Sequence, residues 1–152
     1  MPSTVTITDL LRSEDVHLHF QAASVIDAIP LLLGPALEHH VSRVDVRDEI
    51  IAAVIKRERE TATACGTLSL PHARAAVDDF IVGIGANATG VIAGQREPRI
   101  MFAFVSPEKK REEHLHFLAS LARLSQNREL VDRIASASEP QDVIAALRAA
   151  GL

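Results

Sequence analysis

His72 stands in the chemically most suggestive setting among the seven histidines of this sequence. It follows Pro71 at the end of the short apolar segment 68–70, and α/β proteins present reactive side chains where strands end. Arg74 lies two residues further on, where its guanidinium can stabilise negative charge. This pattern favours a phosphate-handling site at a nucleophilic imidazole, although an ordinary surface loop that contains a histidine also fits it.

The segment before this histidine is rich in small and hydroxyl side chains from Thr61 to Thr67. Thr61 and Thr63 offer hydroxyl groups, and Gly66 allows backbone N–H groups to approach a ligand closely. Donors that are fixed in place stabilise a phosphate dianion without a metal ion. The residues therefore call for neither a metal nor a cofactor.

The other histidines fit less specific roles. His17 and His19 lie two apart on a predicted strand and would share one face of it. Such a pair could supply half of the ligands of a metal-dependent hydrolase, but no second cluster of ligand residues lies nearby in the sequence. The pair at 39–40 lies near a predicted helix C-terminus, where an imidazolium complements the helix dipole. His114 and His116 are about 200° apart around a predicted helix, so they cannot chelate one ion together.

The apolar pattern predicts an α/β fold in one domain, with a mixed sheet between layers of helices. Strands are expected where apolar residues alternate or form short runs, at 16–20, 68–70 (stopped by Pro71), 80–85 and 100–105 (followed by Pro107). A short helical turn is expected at 8–11. Helical spacing then predicts one helix that Ser24 caps, a second that begins at 45–46 and a third over 112–125. The same spacing continues through Val131 and Ile134, and a last helix is expected to begin near Pro140. In the 112–125 helix the expected packed side is Leu115, Leu118, Leu121, Ala122 and Leu124, with His114 at its flank.

Composition narrows the function classes. With 47% apolar residues, five Phe and neither Trp nor Tyr, the core must be mainly aliphatic. A net charge of -4 and the lack of a basic face argue against nucleic-acid binding. The apolar stretch 29–33 is too short to cross a bilayer and no basic leader precedes it, so we expect a cytoplasmic protein without direct membrane insertion. Nothing in the sequence fixes an oligomeric state.

These residues together resemble the soluble IIA component of the phosphoenolpyruvate-dependent phosphotransferase system, of the fructose/mannitol and nitrogen-regulatory type. An Arg-Glu pair at 57–58 precedes the hydroxyl-rich loop, and Pro-His-Ala-Arg follows at 71–74. A helix then begins with Glu-His-Leu at 113–115, and the tail 118–147 is also similar. The likeness thus spans nearly the whole chain, residues 1–152, as one IIA-type domain.

The resemblance implies that His72 accepts a phosphoryl group from a small histidine phosphocarrier protein. The group then passes to a cysteine of a IIB component in the sugar branch, whereas the regulatory branch binds target proteins according to its phosphorylation. We expect the His114 imidazole to lie beside that of His72 and to donate a hydrogen bond to the phosphoryl oxygens. The expected supporting groups are two guanidinium groups and two hydroxyl groups, those of Arg57, Arg74, Thr61 and Thr63.

The loop departs from the family pattern, which is rich in glycine. This chain has only Gly66 there, with Cys65 and Thr67 at positions where glycines are common. A second hypothesis follows, a non-catalytic regulatory module of the same fold with weakened or lost phosphorylation. We expect Cys65 not to be catalytic, since a phosphate nearby disfavours a thiolate. We also expect His72 to be exposed, so that losing its ring costs little stability.

Overall fold

In the computed structural model, which describes residues 5–152, a mixed sheet of six strands lies between two layers of helices, as predicted. The strands are β1 (Val16–Leu18), β2 (Ala64–Cys65), β3 (Leu68–Ser69), β4 (His72–Ala75), β5 (Ile81–Ala86) and β6 (Ile100–Pro107). The helices are α1 (Val25–Glu38), α2 (Val44–Glu60), α3 (Arg111–Gln126), α4 (Arg128–Ala135) and α5 (Pro140–Ala149), with 3-10 turns at Thr8–Leu10 and Ser13–Asp15. The strand order is β1-β5-β6-β3-β2, and β4 also pairs with β6. No helix within residues 5–152 is long and apolar enough to cross a membrane.

The sheet carries a separate apolar core on each face. Side chains of successive strand residues point to opposite faces, so Ala73 and Val105 pack toward α1 and α2. Phe104 lies on the other face, in the core formed with α3, α4 and α5. His72 precedes Ala73 and therefore shares the face of Phe104, toward α3. The two layers thus leave the histidine side chain on a defined side of the sheet.

β3 and β4 form one line along β6, interrupted at Leu70 and Pro71. Leu68 pairs with Ile100 and His72 pairs with Phe104, which is the same register offset. Pro71 lacks an N–H donor, but its carbonyl still accepts a hydrogen bond from the Phe104 N–H at 3.1 Å. The strand before Pro71 does end there, at Ser69, but pairing with β6 resumes at His72. His72 is the first residue of a paired strand rather than the start of a loop.

The hydroxyl-rich segment contains a small hairpin where a loop was predicted. Ala64 pairs with Ser69 and Cys65 with Leu68, across a two-residue turn. Gly66 occupies the first turn position with φ +60, as in the glycine-first turns that suit hairpins. One glycine is sufficient for this turn, which explains how the segment folds without further glycines.

Helix α1 contains two prolines in its interior, Pro30 and Pro35. It begins after Ser24, whose hydroxyl accepts from the Asp27 N–H at 3.1 Å as the cap prediction required. Both prolines are exposed, so they lie on the side of the helix that faces away from the sheet. The opposite side stays helical because it packs on the sheet through six buried residues, Ala28, Ile29, Leu32, Leu33, Ala36 and Leu37.

Helix α3 packs through a different face from the predicted one. Leu115 is 54% exposed, whereas Phe117 is 1% exposed. The buried stripe runs through His114, Phe117, Leu121 and Leu124, which is the regular helical spacing. The expected packed side was therefore wrong at Leu115, and His114 belongs to the buried face rather than to its flank.

The close packing of α1 on β5 depends on a glycine. A Cβ atom at Gly83 would lie 2.2 Å from the backbone oxygen of Leu32, so helix and strand would have to separate. We expect Gly83→Ala to lower the free energy of unfolding by about 1–3 kcal/mol. Gly34→Ala is the matched control, since nothing lies within 4 Å of its added Cβ and its helical position should gain roughly 0.5–1 kcal/mol. Urea unfolding of both variants measures the difference, and a Gly83→Ala protein as stable as wild type would contradict this packing.

Candidate active site

His72 is enclosed by aromatic rings. Its imidazole stacks on Phe104, its partner in the strand register, with ring centroids 4.7 Å apart and 4° between the planes. Phe104 in turn meets Phe117 edge to face at 4.8 Å. His72 is only 4% exposed. The expectation of an exposed histidine was therefore wrong, because the register of β4 on β6 carries the ring into the core.

One nitrogen of the His72 ring has a fixed partner. Nδ1 lies 2.7 Å from the carbonyl oxygen of Leu70, and a carbonyl can only accept, so Nδ1 carries the proton. In the neutral ring Nε2 is then the unprotonated nitrogen. Nε2 makes no hydrogen bond within residues 5–152 and is not one of their fully enclosed unpartnered atoms. Its lone pair is therefore not used by another group of the described chain.

His114 lies next to this ring, as the sequence predicted. The two imidazole centroids are 5.6 Å apart, close enough for one anion to touch both rings. His114 is 7% exposed, in the first turn of α3. Its Nδ1 lies 2.6 Å from the hydroxyl oxygen of Ser106. Each ring is therefore held by a hydrogen bond at Nδ1.

Both imidazoles favour the neutral state. Burial lowers the pKa of His72, the hydrogen bond that its Nδ1 donates to the Leu70 carbonyl raises it in part, and the positive charge of Arg57 lowers it further. Burial also lowers the pKa of His114, followed by repulsion from His72, Arg74 and Arg57. Neutral rings retain the lone pair that a nucleophile requires.

The two arginines lie near the ring pair but are themselves exposed. Arg57 lies in the last turn of α2, and its charge acts on both histidines. Arg74 shares the strand face of His72 because it lies two residues further along β4, and its guanidinium donates to the carbonyl of Glu108. An anion placed beside the rings would therefore find a positive surrounding.

The predicted hydroxyl donors occupy different positions. Thr63 donates both its N–H and its hydroxyl to the carboxylate of Glu58, each at 3.1 Å, so its hydroxyl proton is already used. Glu58 is 7% exposed, and its hydrogen bonds to Thr63 connect the start of the hairpin to the end of α2. Thr61 is exposed and follows the last residue of α2 as its C-terminal cap. The half-buried Cys65 thiol donates to Ser125 at 3.1 Å.

The histidines considered for a metal are not joined by further ligands. His17 lies on β1, whereas His19 follows the strand with φ +52. Within residues 5–152, no three side chains of His, Cys, Asp or Glu come together in a way that could hold a metal ion. The geometry of the described chain thus directs attention to His72 and His114.

Comparison with known proteins decides the family. The model of the family "Phosphoenolpyruvate-dependent sugar phosphotransferase system, EIIA 2" matches residues 9–150. The chain belongs to this family. A related EIIA protein, the fructose-specific EIIA component of the phosphotransferase system from Haloferax volcanii, is 28% identical over 146 residues, covering 93% of this chain and 90% of that protein.

Solved structures show the same EIIA fold. The nitrogen regulatory protein IIA-Ntr from Neisseria meningitidis superposes with a TM-score of 0.72 at 25% identity, covering 93% of this chain and 98% of that one. The mannitol enzyme IIA of Escherichia coli, solved in complex with its phosphorylated enzyme IIB, gives a TM-score of 0.70 at 17% identity, covering 91% of this chain and 97% of that one. The fold and family predicted from the sequence are confirmed.

Sequence reasoning missed three residues of this EIIA site. Phe104 could have been found by aligning the run 100–105 with the strand that contains His72. Glu58 was noted as part of a motif, but its role in fastening Thr63 needs the folded turn. Ser106 carries no local signal, since its contact with His114 depends on how α3 packs.

The lowered histidine pKa values predict a pH dependence of stability. Below the ordinary value of 6.5, the unfolded chain binds protons at His72 and His114 that the folded chain does not bind. The free energy of unfolding should therefore fall as the pH drops from about 7.5 to 5.5. Urea unfolding across this range should show a smaller loss for the double variant His72→Gln/His114→Gln than for wild type. His40→Gln, at an exposed histidine, is the matched control, and an equal loss in all three proteins would contradict the assignment.

Proposed function

We propose that this EIIA protein is a histidine phosphoryl carrier in which Nε2 of His72 accepts and passes on the phosphoryl group. The observation that carries the proposal is the fixed ring of His72, whose Nδ1 is bonded to the Leu70 carbonyl while Nε2 stays free. A nucleophile that is already oriented loses little entropy in the transfer step. Family membership supplies the reaction class, phosphoryl transfer.

The transfer is a displacement at phosphorus. The Nε2 lone pair of His72 forms the new N–P bond while the P–N bond to the donor's imidazole breaks. That imidazole keeps the electron pair and takes up a proton from solvent, while His72 keeps the proton on Nδ1 that it donates to the Leu70 carbonyl. The transferred group carries its charge on three oxygens. Arg57 and Arg74 stabilise this charge, and His114 donates a hydrogen bond to one oxygen. In the reverse sense, the same groups release the phosphoryl to the next acceptor.

We propose different supporting roles for the two threonines. Because the Thr63 hydroxyl proton is bound by Glu58, Thr63 acts by holding the hairpin in place rather than by donating to the phosphate. Thr61 remains a candidate hydroxyl contact at the exposed end of α2. The machinery proposed here uses no metal ion and no cofactor.

The proposed partners follow from the family. The donor is a phosphohistidine on a small histidine phosphocarrier protein. The acceptor is a IIB component, as in the mannitol enzyme IIA of Escherichia coli, whose structure was solved with phosphorylated enzyme IIB. Fructose transport is the preferred branch, since the related Haloferax volcanii protein is fructose-specific, and nitrogen-type regulation is the second.

A non-catalytic regulatory module is the alternative that one observation favours. The segment before His72 is a β2–β3 hairpin with a single glycine, and its backbone N–H groups at Cys65 and Leu68 lie in a strand pair. Fewer of them are free to hold a phosphate than in an open glycine-rich loop. In this reading the protein binds partners without being efficiently phosphorylated.

Phosphorylation by a complete donor system separates the two functions. Wild type incubated with phosphoenolpyruvate, the first enzyme of the system and its histidine carrier should gain the mass of one phosphoryl group, labile to acid and stable to base. His72→Gln should gain none, because it lacks the nucleophile. Thermal unfolding verifies that this buried variant is folded before the assay. Uptake by folded His72→Gln would refute the acceptor, and no uptake by wild type would favour the regulatory module.

Loss of the neighbouring imidazole should slow transfer without abolishing it. His114→Ala keeps the nucleophile but removes a donor to the transferred group, so the transfer rate should fall about a hundredfold to a thousandfold. Rapid-quench measurement of phosphoryl acceptance gives this rate. His116→Ala, on the same helix at a half-buried position, is the control and should transfer at the wild-type rate.

A further inference from the structure

We propose that Ser106 is a positioning residue that fixes His114 in the tautomer whose proton is on Nε2. In this form the neutral imidazole presents an N–H donor on the side away from Ser106. The catalytic consequence rests on the proposed phosphoryl transfer at His72, whereas the tautomer itself is a property of the unphosphorylated protein.

Ser106 is built into the sheet directly beneath His114. It lies on β6, two residues after Phe104, and so shares the sheet face that α3 covers. The residue is 0% exposed, so bulk solvent does not reach its hydroxyl group. Its hydroxyl oxygen lies 2.6 Å from Nδ1 of His114, which is a short hydrogen bond.

The direction of this hydrogen bond follows from the partners available to Ser106. Within residues 5–152, His114 Nδ1 is the partner that the hydroxyl group finds. If Nδ1 carried a proton, the hydroxyl would accept it and its own proton would be buried without an acceptor, at a cost of roughly 1–3 kcal/mol. The hydroxyl therefore donates to an unprotonated Nδ1. The ring proton of neutral His114 must then be on Nε2.

The opposite arrangement holds His72. Its Nδ1 faces the carbonyl of Leu70, which accepts and cannot donate, so its proton is on Nδ1 and Nε2 is bare. Two imidazoles 5.6 Å apart are thus given opposite tautomers by the chemistry of their Nδ1 partners. The ring bonded to a carbonyl becomes the nucleophile, and the ring bonded to a hydroxyl becomes the donor.

This arrangement suits a site where neither ring is charged. Burial, and then repulsion from His72, Arg74 and Arg57, disfavour an imidazolium at His114, so a donor at Nε2 depends on the tautomer. In the other tautomer, Nε2 would present a lone pair to phosphoryl oxygens and repel them. Ser106 thereby keeps His114 a donor without adding a charge.

Nitrogen-15 NMR of the ring nitrogens tests the proposal on unphosphorylated protein. At a pH above both histidine pKa values, two- and three-bond proton–nitrogen correlations should show His114 protonated at Nε2 and His72 protonated at Nδ1. In Ser106→Ala the His114 pattern should shift to a mixture of tautomers while that of His72 stays unchanged. Ser106→Thr, which keeps the hydroxyl, should restore the wild-type pattern. Ser120→Ala removes another buried serine of this face and should change neither ring.

Transfer kinetics of the same proteins test the consequence. Ser106→Ala should accept phosphoryl groups about fivefold to tenfold more slowly than wild type, the equivalent of one neutral hydrogen bond. A wild-type His114 protonated at Nδ1, or a Ser106→Ala pattern identical to wild type, would overturn the proposal. The predicted tautomers in a wild-type protein that accepts no phosphate would support the role of Ser106 and refute the proposed function instead.

Discussion

The pairing of residues 68–75 with β6 is the constraint on which the site depends. It places the His72 ring on Phe104, and two residues further along it pairs Arg74 with Ser106. The same pairing leaves the carbonyl of Leu70, in the interruption beside Pro71, free of β6 and within reach of the His72 ring. A slip of one residue would send the imidazole to the α1 and α2 side of the sheet. The backbone hydrogen bonds between the strands therefore determine on which face of the sheet the His72 imidazole lies.

Helix packing supplies the second half of the site. Phe117 and Leu121 anchor α3 in the core on that face, and the helical repeat then fixes where His114 lies. Its distance from His72 is thus a product of two independent elements, a strand register and a helix rotation. Charge completes the arrangement, since burial favours the neutral state of both rings and the exposed Arg57 and Arg74 add positive charge near them. An arriving anion is therefore attracted by guanidinium groups, while both imidazoles stay neutral.

Much of this could be predicted from the sequence, and the misses have physical reasons. The α/β fold followed from apolar periodicity, the cap at Ser24 from its side chain, and the closeness of His72 and His114 from the resemblance to a family. The burial of His72 could not be predicted from the neighbouring residues, because Pro71 indicates the end of a strand. The parallel strand that pairs with His72 lies about thirty residues away along the chain. Leu115 was misplaced because a histidine, rather than a leucine, occupies the buried position of the first turn of α3. A prediction from hydropathy places polar side chains at the surface, so it is wrong for polar side chains that are buried.

The near-complete enclosure of His72 has a kinetic meaning for a carrier. With 4% of the residue exposed, only a small part of the ring can be touched by a partner. In the proposed relay the donor imidazole and the acceptor thiolate both have to reach the same Nε2 atom, so they cannot occupy it at the same time. The proposed relay therefore follows ping-pong order, in which one partner departs before the other docks.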